Sequence, residues 1–134
     1  WQNPLLPFHL FVQAALCGSA AFILMSIFLS IPAEALQICR ITLLVSVALH
    51  IALIISESVT AHMTADAARA AHNMIKGRYR VYYWTGLIVG GILPFLVGFG
   101  AMTGMMEVAS ILVLGGLLAY EHAYVQAGQS VPLT

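Results

Sequence analysis

Residues 38–76 read ICRITLLVSVALHIALIISESVTAHMTADAARAAHNMIK. The first part, 38–55, is apolar apart from a few residues such as Arg40, Ser46 and His50. At 1.5 Å of rise per residue it nearly crosses a hydrocarbon core of ~30 Å. From position 56 onward, helix-forming residues continue but polarity rises, with Glu57, His62, Asp66, Arg69, His72, Asn73 and Lys76. The stretch therefore predicts one long helix that crosses a bilayer, leaves it in its last turns, and stops at Gly77.

Three further apolar runs flank this helix. Residues 5–31 form the first, with Pro4 and Pro7 at a start where a helix tolerates proline, and with Pro32 at the end. A short linker, 32–37, would close a helical hairpin. Residues 81–101 form the third run, entered through Tyr79, Tyr82, Tyr83 and Trp84, which read as an interfacial aromatic belt. Pro94 within it predicts a kink rather than a stop. Residues 105–127 form the fourth, after a turn at Gly104. With the second span taken as 38–61, the fold class is all-α integral membrane, an antiparallel four-helix transmembrane bundle in a single domain, 1–134.

Composition agrees. Of 134 residues, 61% are hydrophobic and 7% charged, against about 25% charged in soluble domains. This excludes a disordered chain, a nucleic-acid binder and almost any cytosolic enzyme. Five Lys and Arg balance five Asp and Glu, with no charged tail. Four of the five basic residues, Arg69, Lys76, Arg78 and Arg80, fall in the second loop. The positive-inside rule then places that loop, and with it Trp1 and Thr134, in the cytoplasm. The start at Trp1 lacks a basic segment and is not read as a signal peptide. The expectation is a mature or truncated chain, part of a larger membrane subunit. Cys17 and Cys39 read as small buried hydrophobes.

Small residues predict close helix packing at Ala14-x3-Gly18, Gly86-x3-Gly90 and Gly100-x3-Gly104, and at Gly90-Gly91 and Gly115-Gly116.

Ionisable residues inside the bilayer are costly and mark function. His50 lies mid-span, and Glu57, seven residues on, shares its helical face at a rise of ~10 Å. That is too far for a direct bond and suits two stations joined by water or a polar head. Imidazole both donates and accepts protons near neutral pH. Two readings stand: a proton-handling pair, or a helix–helix hydrogen bond at His50 with an interfacial Glu57. Glu107 lies near the outer end of the fourth span, and Glu121 and His122 near its cytoplasmic end; each is a proton-pathway candidate or a solvated residue. Arg40 could snorkel or pair with Glu34 or Glu107. The six methionines read as packing. No metal site is expected. His9 and His122, at comparable depth, are the one pair suited to bis-histidine haem. With one His on each helix and no second pair, no haem is expected. HExxH, P-loop, GxGxxG and GxSxG patterns do not occur.

Three stretches carry a resemblance. They are Trp1-Gln-Asn-Pro-Leu-Leu-Pro7, the segment ESVTAHMTADAARAAHNMIKGRYRVYYWTGLIVGGILP at 57–94, and the tail AGQSVPLT at 127–134. Together they resemble the C-terminal half of the NrfD/polysulfide-reductase membrane-subunit family, which includes relatives in alternative complex III. The resemblance implies a quinone-interacting membrane anchor without haem, seated against an iron–sulfur subunit and other membrane subunits of a respiratory quinol oxidoreductase. Such a subunit would not be catalytic alone, would use menaquinone or ubiquinone in the full complex, and would reside in a bacterial-type cytoplasmic membrane. It implies a proton route through this half, with Glu57 as the residue carried over by position. The family's quinone pocket is attributed to the N-terminal bundle, which has no counterpart in these residues. The alternative is half of a transporter or channel module for protons or ions.

Overall fold

The computed structural model describes residues 5–60, 64–100 and 105–131. The chain forms α1 (Leu6–Met25), α2 (Ala33–Val59), α3 (Ala65–Ile75), α4 (Arg80–Leu87), a π-helical turn (Ile88–Ile92), α5 (Leu93–Phe99) and α6 (Met105–Gln129). Four helical stretches are long and apolar enough to cross a membrane: α1, α2, α4 through α5 as one, and α6. The fold is an all-helical membrane bundle. Each span packs on its neighbours in sequence, and α1 also packs on α6, which closes the four corners.

The span boundaries differ from expectation in three places. Helix α1 stops at Met25, where Ser26 turns its N–H and hydroxyl back onto the Ile23 carbonyl. Pro32, expected to end the first span, instead stands at the N-cap of α2, which begins at Ala33 with Glu34 in its first turn. There a carboxylate complements the helix dipole. The connection is thus 26–32 rather than 32–37. The single helix expected through residue 75 also breaks. Thr60 takes an extended backbone, and Thr64 restarts a helix by accepting the Ala67 N–H on Oγ1 at 3.1 Å. Capping of this kind favours a new start over continuation. His62 falls between the two, outside the described residues. The break lets α3 turn Ala70, Ala71 and Met74 inward across the bundle end. A straight helix would have left them in water. Gly77 does end α3, donating its N–H to His72 O at 2.9 Å.

Proline at 94 cannot donate a helical hydrogen bond, and its ring crowds the carbonyl four residues back. The π-helical turn widens the helix just before it, and Leu93 N–H reaches Ile88 O. The span continues through Pro94 as expected.

Glycines decide the closest approach. A Cβ on Gly116 would stand 2.1 Å from Gly90 Cα, and one on Gly86 2.6 Å from Tyr120 Cβ. The third span and α6 therefore touch backbone to backbone. A Cβ on Gly91 would press on Ile51. Gly18 and Gly115 have open space instead, so Ala14-x3-Gly18 makes no close contact within this chain. Gly104 lies outside the described residues.

The bundle is apolar on its outer surface and keeps its buried polar side chains inside, among an apolar core. Phe11, Phe28 and Leu118 are 78%, 85% and 73% exposed, whereas His9, Gln13, Ser46, His50 and Glu57 are buried. That distribution suits lipid as the solvent. Cys17 and Cys39 are free thiols, half-buried.

Helix α3 and the end of α6 meet at one end of the bundle, where Asn73 Nδ2 donates to Ser130 Oγ at 3.2 Å, and Leu6 packs there against the cluster that holds Met74 and Ala127. Trp1 and Thr134 themselves lie outside the described residues. We expect Arg78→Cys and Gln129→Cys, each in a chain with Cys17 and Cys39 replaced by alanine, to react with an impermeant thiol reagent from the same side. Leu29→Cys should react from the other. Labelling of Arg78→Cys and Gln129→Cys from opposite sides would end the four-span arrangement.

Candidate functional site

Two apolar clusters fill the bundle. One holds Leu16, Ile23, Leu43, Val47 and Val113; the other holds Ile54, Met74, Tyr83 and Tyr124. Between them α1, α2 and α6 bring polar side chains together. The buried positions of α1 run 9, 13, 16, 19, 20 and 23, and those of α2 run 43, 46, 47, 50, 54 and 57. Spacings of three and four keep each set on one helical face. His9 and Gln13 are thus carried inward on the same stripe as leucine and isoleucine, and His50 and Glu57 likewise.

Glu57 is the centre. Its Oε2 accepts a hydrogen bond from Tyr120 OH at 3.3 Å and lies 3.6 Å from His9 Nδ1. His50 stands edge-on to both partners, with ring centroids 5.1 Å from His9 and 5.3 Å from Tyr120. The gap between His50 and Glu57 is therefore filled by an imidazole from α1 and a phenol from α6. Both nitrogens of His50, and Nε2 of His9, are buried without a hydrogen-bond partner among the described residues. Leaving such an atom unsatisfied costs about 1–3 kcal/mol, so each calls for a bound water or ion, stored strain or a chemical role.

Around this centre Gln13 Nε2 donates to Glu121 Oε1 at 2.5 Å. Tyr83 shares a hydrogen bond of 2.6 Å with Ser58 Oγ and lies against Tyr120. Tyr83 was expected in an interfacial belt; it is buried in the core at 3% exposure. Tyr83 lies three residues from Gly86, on the face of its helix that meets α6.

The other candidates separate. Glu121 joins the site through Gln13. His122, one residue on, turns away from Gln13 and lies against Tyr82, the rings tilted by 55° with centroids 4.6 Å apart. His9 and His122 do not face each other. Glu107 belongs to the far end of the bundle, at the start of α6. No ion pair joins Arg40 to Glu34 or Glu107; Arg40 Nε and Glu107 Oε2 are each buried without a partner among the described residues. Among the described residues no group of three or more His, Cys, Asp or Glu could hold a metal ion.

Sequence reasoning placed His50 and Glu57 together and weighed His9 only as a haem ligand. It passed over Gln13, Tyr83 and Tyr120. The spacing of His9 and Gln13, four residues apart in an apolar span, was the available signal. Tyr120 carried none, since a tyrosine near a span end also fits a belt.

Chemically the cluster can hold and pass protons. A carboxyl, two imidazoles and a phenol lie in contact inside an apolar wall, with a second carboxyl one residue away on α6. No family model, curated protein or solved structure matches the chain.

Proposed function

We propose that the chain is the C-terminal half of an NrfD/polysulfide-reductase-type membrane subunit in a bacterial-type cytoplasmic membrane. It serves a quinone-linked respiratory complex beside an iron–sulfur subunit, with the basic loop and both termini facing the cytoplasm. Its own part is to move or store protons during quinol turnover. The motifs at 57–94 and 127–134 support the family. The observation that carries the proton role is the buried Glu57 carboxyl in contact with His9 and Tyr120. A buried carboxyl between a donor phenol and an imidazole is arranged for exchange rather than for a static salt bridge.

A transporter or channel half would also place polar groups inside a bundle. Purification of the full-length subunit in mild detergent separates the two readings. The expected result is a copurifying iron–sulfur protein, seen by electron paramagnetic resonance, with quinol oxidation by the assembly. Purification without such a protein, together with ion flux in vesicles, would establish the transporter reading instead.

A further inference from the structure

A crevice of about 10 Å³ opens beside the Glu57 cluster at the seam of α1 and α6. Its polar lining is His9, Gln13, Tyr120, Glu121 and Tyr124. Space of that size accommodates one water molecule where several polar groups converge. Here the groups converge from two helices. His9 contributes a buried nitrogen, Nε2, that has no partner among the described residues. His9 itself is 2% exposed. Its other nitrogen, Nδ1, is the one facing Glu57. The imidazole therefore stands between two carboxyls: Glu57 on α2 at Nδ1, and Glu121 on α6 across the crevice.

We propose that this crevice binds a single bridging water, and that Glu121, this water and His9 form the entry by which protons reach Glu57. This rests on the proton role proposed above and names its path. The proton balance is simple. A proton moves from Glu121 through the water to His9 Nε2, making the ring a cation. The Nδ1 proton then passes to the Glu57 carboxylate, leaving a neutral ring protonated at Nε2. A half-turn about the Cβ–Cγ bond returns the protonated nitrogen to the Glu57 side. Glu121 regains its proton from the interface near the end of α6. The groups facing His9 are Glu57 and His50 from α2 and Tyr120 from α6, with Glu121 and Tyr124 of α6 also lining the crevice. His50 has no carboxyl beyond it among its described contacts, so it forms the relay's inner wall and does not extend it. Gln13 orients the Glu121 carboxyl through its 2.5 Å bond and is a positioning residue.

The test uses the full-length subunit in lipid vesicles and two readouts that do not involve quinol. Magic-angle-spinning NMR with ¹⁵N-labelled histidine should show a water correlation at His9 Nε2, identified by its loss in His9→Gln. Infrared detection after a pH step should show Glu57 protonation, identified by its loss in Glu57→Gln. Glu121→Gln keeps the bond to Gln13 and removes the titratable group. It should slow Glu57 protonation at least about tenfold while leaving the final amplitude and the amide I band unchanged. Gln13→Leu, which replaces a polar wall of the crevice with an apolar one and frees Glu121, should remove the water correlation and slow the same step. Absence of water at His9 Nε2, failure of Glu57 to protonate, or an unchanged rate in Glu121→Gln would each overturn the entry path. If the path stands and quinol turnover proves uncoupled to protons, only the functional reading above falls.

Discussion

Gly116→Leu is expected to cost the bundle at least about 3 kcal/mol, the upper end of ordinary overpacking penalties. A Cβ alone at this position would lie 2.1 Å from Gly90 Cα and 2.3 Å from Gly90 N. Both atoms are backbone, so no side chain can swing aside, and the third span must separate from α6. Separation would also pull Gly86 off Tyr120 and loosen the wall behind Glu57. Gly115, its neighbour in sequence, supplies the control. Nothing lies within 4 Å of a Cβ built there. Gly115→Ala should leave stability unchanged or slightly higher, since alanine favours helix by up to about 1 kcal/mol over glycine. Unfolding in mixed detergent micelles reads both. Equal loss in the two variants, or none in Gly116→Leu, would refute the backbone contact.

In an assembled complex, Glu57→Gln should reduce turnover or coupled proton movement at least about tenfold. General acid–base contributions commonly reach about 10² or more, and partial bypass through water lowers the expected loss. Glutamine keeps the volume and still offers an oxygen to Tyr120 OH, so packing is retained. It cannot exchange the proton that a carboxyl can. Measuring assembly alongside turnover separates charge from fold. Glu107→Gln and His122→Phe serve as controls: neither residue belongs to the cluster, and the second keeps a ring against Tyr82. Both should retain wild-type proton movement. Unchanged turnover and proton stoichiometry in assembled Glu57→Gln complex would reduce Glu57 to a packing residue.

The chain's position in a membrane, its helical class and its count of spans follow from local facts. Runs long enough to cross lipid, breaks at proline and glycine, and the crowding of charge into one loop are all properties of neighbours in sequence. The shared face of His50 and Glu57 is equally local, because a helix repeats every 3.6 residues. The same is true of Gly86-x3-Gly90, which falls on one face wherever its helix packs.

What the local pattern could not decide is how each helix turns about its own axis and which helix stands beside it. In water, an apolar stripe announces the inward face. In lipid, the outside is as apolar as the core, and packing depends on shape and on polar contacts between helices. Gly115 and Gly116 are alike in sequence, yet only Gly116 meets another backbone. Tyr83 and Trp84 both looked interfacial, yet Tyr83 is buried against Tyr120 and Trp84 is exposed. Glu121 and His122 differ in the same way, one turned to α1 and the other to Tyr82. The site itself is of this kind. His9, Glu57 and Tyr120 belong to three helices and lie far apart along the chain, so their contact exists only once α1, α2 and α6 have closed around them.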